Sequence, residues 1–301
     1  MYDVIIIGAG CAGLTAGIYC GRAELKTLIF AGNIENKGGL LVKTSIVENY
    51  PGFPDGILGY DLINNMELQA VKTGVEILNQ EVTAVDLEKK TVTAGDKTFS
   101  CKVIIIATGS KPNKLNLPDE DRLWAKGISS CAVCDGALYK RKRIVVVGGG
   151  DSAMEEASFL TKFSNVTLIH RGASFTKASK AMVTRVLNNP KIKIIYDTVV
   201  TKLVGNEFLE EIILKNVKTD EETTMKVDGL FYGLGLTPNT ELFDDDVKNY
   251  LGYLNKHTLP KGVYAAGDAQ DSIYRQAIVA AGDGCKAAMK AIDYISHLVE
   301  K

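Results

Sequence analysis

The sequence has 301 residues, of which 46% are hydrophobic and 24% are charged, and its formal net charge is -1. This length is typical of about two domains, and this composition is typical of a soluble globular protein. The balanced charge offers no general attraction to nucleic acid or to an anionic membrane, and no apolar run approaches the roughly 20 residues of a membrane span.

The chain opens with a βαβ pattern. The apolar run Val4–Ile7 predicts a strand that is buried on both faces, as in a parallel sheet. A helix is predicted from Leu14 to Arg22, and a second strand from Lys26 to Phe30. No charged and apolar signal segment precedes this pattern, so we expect a cytoplasmic protein.

The next stretch mixes helical and alternating patterns. Residues 60–73 predict a helix, and residues 75–100 predict a small antiparallel meander with a turn at Gly95-Asp96. Residues 103–107 predict a return to a buried strand. Residues 110–120 are rich in proline and asparagine and predict a linker.

A second βαβ pattern then begins. Residues 144–147 predict a strand, 151–161 a helix and 166–169 another strand. Near the end of the chain, residues 262–268 predict a strand and a turn, followed by a long helix from Tyr274 to Leu298. This last fragment is too short to bury a core of its own, so it should return to complete the first domain.

The predicted architecture is therefore an α/β fold with two Rossmann-like, three-layer dinucleotide-binding domains, the second inserted in the first. The first of these predicted domains comprises residues 1–113 and 240–301, and the second, inserted domain comprises residues 114–239.

Gly8, Gly10 and Gly13 form the first glycine-rich fingerprint, between a strand and a helix. The first glycine allows a tight turn, the second lets the backbone approach a pyrophosphate, and the third lets the helix pack on the strand. The helix N-terminus would then face the phosphates. The usual ribose-binding acid is absent, because the next strand ends in Phe30-Ala31-Gly32.

The second fingerprint consists of Gly148, Gly150 and Ala153. The strand after it ends in His170-Arg171, and an arginine at this place favours the 2′-phosphate of NADP. Two further cations follow, and they either add charge to that phosphate site or belong to a solvated face; they are Lys177 and Lys180.

The cysteines fall into a close pair and isolated residues. Cys131 and Cys134 are separated by two residues and followed by Asp135. This pair is open to three interpretations, namely half a zinc site, unrelated buried thiols, or a redox dithiol whose proton Asp135 could carry. We expect no metal site, since zinc needs more ligands than the surrounding sequence offers. The isolated thiols are expected to be small buried side chains: Cys11, Cys20, Cys101 and Cys285.

Together these motifs resemble the low-molecular-weight thioredoxin reductases over essentially the whole chain. The matching segments are residues 8–13, 38–39, 48–52, 107–109, 131–136, 148–153, 237–239, 265–268 and 275–277. The position of the Cys-Ala-Val-Cys-Asp segment, inside the second domain and just before its fingerprint, is specific to this family.

The resemblance implies FAD in the first domain, NADPH in the second, a homodimer, and reduction of thioredoxin or a thioredoxin-like protein. It implies that Cys131 and Cys134 are the redox pair, with Cys134 nearer the flavin, and that Asp135 is the acid and base. The implied FAD residues are Gly8, Gly10, Gly13, Gly39, Asn49, Gly109, Asp268, Arg275, Gln276 and Ala277. The implied NAD(P) residues are Gly148, Gly150, Asp151, Ser152, Ala153, His170 and Arg171.

The chain departs from the family at both ends of this electron path. Gly172 and Thr176 replace arginines that hold the NADP phosphate, which leaves NADH or a protein donor such as ferredoxin open beside NADPH. Ala137 and Leu138 replace an aromatic pair that docks thioredoxin, which leaves the identity of the partner open. From another class, a non-catalytic FAD-binding redox sensor is a further alternative, and it predicts no turnover with any donor.

Overall fold

The protein is described by a computed structural model over residues 1–33, 37–43 and 46–299. The α-helices are α1 (Cys11–Arg22), α2 (Gly59–Lys72), α3 (Glu120–Leu123), α4 (Ala132–Asp135), α5 (Asp151–Leu160), α6 (Lys180–Leu187) and α7 (Ala277–Val299). Short 3-10 turns cover Gly39–Lys43, Gly136–Tyr139, Asp245–Val247 and Gly267–Ala269.

The strands follow in chain order. They are β1 (Tyr2–Ile7), β2 (Thr27–Phe30), β3 (Ile46–Val47), β4 (Ile57–Leu58), β5 (Glu76–Leu78), β6 (Val82–Asp86), β7 (Thr91–Ala94), β8 (Lys97–Ile106), β9 (Ser110–Pro112), β10 (Ile128–Ser129), β11 (Ile144–Gly148), β12 (Val166–Ile169), β13 (Ile192–Ile195), β14 (Thr198–Val204), β15 (Glu211–Asn216), β16 (Glu222–Lys226), β17 (Gly229–Gly233), β18 (Leu236–Pro238) and β19 (Val263–Ala265).

The chain divides into two compact units, residues 1–111 with 237–301, and residues 112–236. The second unit therefore interrupts the first, which is the predicted arrangement. The α/β class with parallel sheets is confirmed.

The first unit is built on a parallel sheet in the order β5-β2-β1-β8, with β19 beside β8. Alternate residues of β1 face opposite sides of this sheet. Val4 and Ile6 pack with the helices α1, α2 and α7, whereas Ile5 and Ile7 pack with the β6–β7 hairpin. Because both faces are covered, the strand is apolar at successive positions, which explains the run that predicted it.

One sequence-based expectation in this unit was wrong. The segment from residue 75 to 100 is not wholly antiparallel, because β5 pairs in parallel with β2 at the edge of the main sheet. The chain then turns between β7 and β8 at Gly95-Asp96 as predicted, and β8 continues without a break into the buried strand at residues 103–106. The single strand β8 thus joins the meander to the parallel sheet.

The second unit repeats this layering. Its parallel sheet has the order β10-β17-β11-β12-β13, and a separate antiparallel sheet has the order β14-β15-β16. Val145 and Val147 of β11 pack toward the antiparallel sheet, while Ile144 and Val146 pack toward the helical side that contains α5. Each unit is therefore a parallel sheet between a helical layer and a smaller β layer.

The segment predicted as a linker is ordered by a buried carboxylate. Glu120 is only 4% exposed, and it accepts hydrogen bonds from the backbone N–H groups of Leu115 (2.9 Å) and Asn116 (3.1 Å). The Tyr232 hydroxyl also donates to Glu120, at 2.6 Å. These bonds fix the loop to the end of the sheet and satisfy the buried carboxyl oxygens.

Candidate active site

The first fingerprint forms a tight turn in front of α1. A Cβ atom on Gly8, whose φ is +111°, would lie 2.2 Å from the Ala107 carbonyl oxygen, and one on Gly13 would lie 1.8 Å from the Gly8 oxygen. Neither position has room for a side chain. Gly10 differs, because the nearest atom to an added Cβ is 3.8 Å away. Gly10 is also the N-cap of α1 and makes no side-chain cap hydrogen bond, so the N–H groups at this helix start can receive an anion.

Other predicted FAD residues of the same unit make side-chain hydrogen bonds. The Ser110 hydroxyl, which follows Gly109, donates to Asp268 Oδ2 at 3.0 Å. Burial raises the pKa of the Asp268 carboxyl, and the Ser110 hydrogen bond acts in the opposite direction. Asn49 Nδ2 donates to Gln276 Oε1 at 3.2 Å, which joins two candidates that are far apart in sequence.

Two further members of this set have left-handed backbone conformations. Arg275 has a φ of +44° and Gly39 a φ of +69°. The left-handed conformation of Arg275 is uncommon for a residue with a side chain, and such strain is typical of functional segments. Ala277 begins α7.

The Cys131–Cys134 pair is a disulfide at the start of α4. The Ser129 hydroxyl donates to Asp135 Oδ2 at 2.6 Å and accepts the Cys131 backbone N–H at 3.1 Å. Asp135 Oδ1 is buried and has no hydrogen-bond partner. Burial raises the pKa of Asp135, against the lowering effect of the Ser129 hydrogen bond. The carboxyl beside the disulfide is therefore poised to hold a proton.

Sequence reasoning missed two residues around this disulfide. Ser129 orients Asp135 through a hydrogen bond. In the sequence, only its position two residues before Cys131 could have indicated this role. Glu156, on α5, accepts the backbone N–H of Ala132 at 2.5 Å. No local pattern connects Glu156 with the cysteine pair, because the contact depends on the packing of α4 against α5.

The second fingerprint repeats the geometry of the first. A Cβ atom on Gly148 would lie 2.3 Å from the Gly233 oxygen and 2.7 Å from the Ala153 side chain. Gly150 has open space at the same position and is the N-cap of α5, with no side-chain cap hydrogen bond. The Asp151 carboxylate accepts the Ser179 backbone N–H at 2.7 Å. Ser152 is half-buried in the first turn of α5.

His170 lies inside this turn. Its Nδ1 is 3.2 Å from the Gly148 oxygen, and its Nε2 is 3.0 Å from the Ser174 oxygen. An added Cβ on Gly149 would lie 2.2 Å from the imidazole ring. The ring is thus held by protein groups and shapes the loop, whereas Arg171 next to it is exposed.

The segment that follows His170 is folded back onto the fingerprint. Lys177 forms a parallel β-bridge with Gly150, which brings its backbone beside the open glycine. The side chains of Lys177 and Lys180 are exposed.

The isolated cysteines are mostly buried, as expected. Cys11, Cys20 and Cys101 are buried and Cys285 is partly exposed. Burial raises the pKa of each of the first three thiols to about 12. Within residues 1–33, 37–43 and 46–299, no three histidine, cysteine or acidic side chains are grouped as metal ligands would be. Across the same ranges, none of the helices has the length and apolarity to span a bilayer.

Comparison with known proteins gives consistent matches. A family model described as pyridine nucleotide-disulphide oxidoreductase matches residues 2–284. The thioredoxin reductase of Streptomyces coelicolor is 46% identical over 309 residues, covering 99% of this chain and 95% of that protein. The solved thioredoxin reductase of Giardia duodenalis has a TM-score of 0.90 and 38% identity, covering 98% and 99% of the two chains. That of Streptococcus pyogenes has a TM-score of 0.92 and 35% identity, covering 99% of both chains.

Proposed function

Because this chain belongs to the pyridine nucleotide-disulphide oxidoreductase family, and within it to the thioredoxin reductases, we propose that it passes electrons from NADPH through FAD to the Cys131–Cys134 disulfide and on to thioredoxin. The observation that carries this proposal is the buried Asp135 carboxyl beside that disulfide. Dinucleotide fingerprints precede and follow this motif in the chain. The chain is an oxidoreductase.

The first unit has the features that FAD requires. The open position at Gly10 and the uncapped start of α1 would receive the pyrophosphate. Asp268, held by Ser110, would accept a hydrogen bond from a ribityl hydroxyl. The Asn49–Gln276 pair offers amide groups to the polar edge of a ring. When bound, the flavin would accept a hydride from the nicotinamide and supply two electrons to the disulfide.

In the second unit, the uncapped start of α5 at Gly150 would hold the pyrophosphate of NADPH. Arg171 and Lys177 are the cations that support NADPH over NADH, since both are exposed on the segment that folds against Gly150. They would stand in for the arginines replaced by Gly172 and Thr176.

Replacement of Lys177 by alanine tests this assignment. We expect the Kd for NADPH to rise about 3- to 10-fold, because an exposed charge-assisted contact contributes roughly 1 kcal/mol, while the Kd for NADH stays unchanged. Protein fluorescence titrations with both nucleotides measure this. Lys193→Ala, which removes another exposed cation of the unit, should change neither. Equal weakening of both nucleotides by Lys177→Ala would exclude a contact with the 2′-phosphate.

The dithiol step follows from the groups around the disulfide. Reduction of the Cys131–Cys134 disulfide consumes two electrons and two protons, and breaks the S–S bond. Asp135, whose pKa is raised by burial, can give a proton to the sulfur that leaves and take it back when a thiolate is needed. One thiolate then attacks the disulfide of thioredoxin, and the second thiol displaces the reduced partner and restores the Cys131–Cys134 bond.

Replacement of Asp135 by asparagine should lower the turnover with thioredoxin without lowering the thermal stability. A raised folded-state pKa means that ionisation of Asp135 costs stability, and this cost appears as pH rises from the unfolded value, 3.8, through the folded value. Asp135→Asn cannot ionise, so at pH 8 we expect an unchanged or slightly higher thermal midpoint. We expect thioredoxin turnover to fall about 100-fold, since positioned proton transfer contributes factors of this size.

Stopped-flow and thermal unfolding measurements on Asp135→Asn check both parts. Asp55→Asn, at an exposed position, is the matched control and should behave like the unchanged protein. Retained turnover with a lower midpoint would assign Asp135 a structural role instead.

The surface beside the dithiol that would meet thioredoxin differs from the family pattern. Ala137 is exposed and Leu138 is half-buried, so a thioredoxin partner would meet a smaller apolar surface than an aromatic pair provides. We further propose a cytoplasmic homodimer, since a catalytic dithiol needs a reducing compartment and the family resemblance implies a dimer. Light scattering of the purified protein checks its mass in solution.

A further inference from the structure

The hydroxyl of Ser129 joins the two functional parts of the dithiol motif. It donates to Asp135 Oδ2 at 2.6 Å and accepts the backbone N–H of Cys131 at 3.1 Å. Ser129 is only 4% exposed, so bulk water competes little for these hydrogen bonds. One buried hydroxyl therefore holds both the carboxyl of Asp135 and the backbone at the start of the disulfide.

Ser129 belongs to the sheet and not to the helix that carries the disulfide. It ends β10, which pairs in parallel with β17, and it stands opposite Phe231 in the register. Phe231 is fully buried. Cys131 and Asp135 instead lie at the two ends of the short helix α4. The hydroxyl thus ties the carboxyl to a strand of the parallel sheet, and a rigid element of this kind holds a reactive group in place.

The hydrogen-bond directions at this hydroxyl determine where a proton on Asp135 resides. A serine hydroxyl has one hydrogen to donate. Its oxygen receives the Cys131 N–H, and its hydrogen points to Asp135 Oδ2, which acts as an acceptor. Asp135 Oδ1 is buried and has no hydrogen-bond partner in the described part of the chain. When Asp135 is neutral, its proton therefore sits on Oδ1, since a proton on Oδ2 would leave the Ser129 hydrogen without an acceptor.

The ionised form of Asp135 depends on the same hydroxyl. Burial raises the pKa of Asp135, and the hydrogen bond from Ser129 lowers it. A buried carboxylate that lacks hydrogen-bond donors is costly. Within residues 1–33, 37–43 and 46–299, Ser129 is the one residue whose hydrogen bond reaches this carboxyl.

Other titratable groups around α4 come from neighbouring elements. Tyr139 lies on the 3-10 turn after α4, beneath the ammonium group of Lys142, and burial and Asp135 raise the pKa of Tyr139 to about 12. Glu156, on α5, accepts a backbone N–H of α4. Tyr232, on β17, packs on the opposite face of the sheet. Removal of the serine hydroxyl leaves all of these side chains in the protein, so its effect on Asp135 can be measured separately.

We propose that Ser129 is a positioning residue that keeps the exchangeable proton of Asp135 on Oδ1 and stabilises the carboxylate that remains when this proton leaves. The inference rests on the proposed function, in which Asp135 serves the dithiol. Two electrons break the S–S bond, the leaving sulfur takes the proton from Oδ1, and the second proton comes from water. Asp135 is then a carboxylate whose Oδ2 is held by Ser129, and it recovers the proton when a thiolate is needed.

The titration of Asp135 measures this role directly. In the oxidised protein as purified, the infrared band of its protonated carboxyl is isolated by 13C labelling of aspartate and by subtraction of the Asp135→Asn spectrum. Ser129→Ala should move the midpoint of this band about 1 pH unit higher, or about tenfold in the ionisation constant, because the carboxylate loses its donor. Ser129→Thr keeps a hydroxyl and should titrate at the original pH.

Ser130→Ala is the matched control, since Ser130 is the adjacent, partly exposed serine, and it should leave the midpoint in place. Ser129→Gly also lacks the hydroxyl and should shift the midpoint in the same direction as Ser129→Ala. Circular dichroism shows whether each variant is folded. A serine that only fills space in the core would lower the thermal midpoint of the variants without moving the Asp135 titration. An unmoved or lower titration midpoint in folded Ser129→Ala protein overturns the proposal.

The pH dependence of thioredoxin turnover is a second readout. The limb of the profile that disappears in Asp135→Asn should move to higher pH in Ser129→Ala, by the same amount as the infrared midpoint. A slower turnover with this limb unmoved would contradict the inference. The infrared titration uses neither NADPH nor thioredoxin, so its failure is distinct from failure of the proposed function, which the turnover of the unchanged protein tests.

Discussion

Replacing Cys134 by serine is expected to lower NADPH-driven reduction of thioredoxin by at least about 1,000-fold. Cys134 is one half of the disulfide at α4, and a hydroxyl at this position can neither accept electrons nor resolve a mixed disulfide. Removal of a covalent catalytic group produces losses of this size. Hydride transfer from NADPH to the flavin should persist, because it needs neither sulfur.

Stopped-flow absorbance of the flavin and a coupled thioredoxin assay separate these two steps. Cys285→Ser is the control, since Cys285 is a partly exposed free thiol on α7, and we expect it to retain activity. Turnover of Cys134→Ser at the unchanged rate would remove the dithiol from the electron path.

Replacing Gly10 by alanine is expected to abolish retention of FAD while leaving the protein folded. The added Cβ meets no protein atom closer than 3.8 Å, so the fold tolerates it. The same methyl would fill the space where a pyrophosphate approaches the start of α1. Loss of charge-assisted hydrogen bonds, each contributing roughly 1.5–3 kcal/mol, weakens FAD binding by at least about 100-fold.

The ratio of flavin to protein absorbance after purification, together with circular dichroism, measures this outcome. Gly282→Ala provides the control, since its added Cβ also meets nothing within 4 Å and it lies within α7. That variant should keep its flavin and gain up to about 1 kcal/mol in the free energy of unfolding from helix propensity. A yellow Gly10→Ala protein with full flavin content would contradict the proposed binding of the FAD pyrophosphate at this turn.

The strands of the two parallel sheets were the most predictable elements. Val4–Ile7 and Ile144–Val147 are apolar at successive positions because layers cover both faces of each sheet. Which strands pair with each other was less predictable. The sequence around Glu76–Leu78 does not reveal whether this edge strand joins the hairpin or the parallel sheet, because a short half-buried strand fits either neighbour.

Helix boundaries depended on contacts that a local pattern does not contain. The helix predicted from Tyr274 begins at Ala277 instead. Asp271 Oδ1 accepts the backbone N–H groups of Ile273 and Tyr274, and Arg275 adopts a left-handed conformation. A turn therefore occupies the segment that hydrophobic periodicity assigned to the helix.

The candidate site was predictable where its residues stand together in the chain. The two fingerprints and the Cys131–Cys134 pair with Asp135 were found from spacing. Ser129 and Glu156 were not found in this way. The Ser129 hydroxyl bonds to Asp135 only once the chain is folded, and Glu156 reaches Ala132 only because α5 packs on α4. Such supporting residues are set by tertiary packing.

Anaerobic titration of the oxidised protein with NADPH tests the central claim most directly. Flavin and disulfide each take two electrons, so we expect the flavin absorbance to be bleached only after more than one equivalent of NADPH per subunit, with two needed in all. Cys134→Ser should bleach fully with one equivalent. If the unchanged protein also needed one equivalent, or if NADPH failed to reduce a fully loaded flavin, then the proposed route from NADPH through the flavin to Cys131–Cys134 would be contradicted.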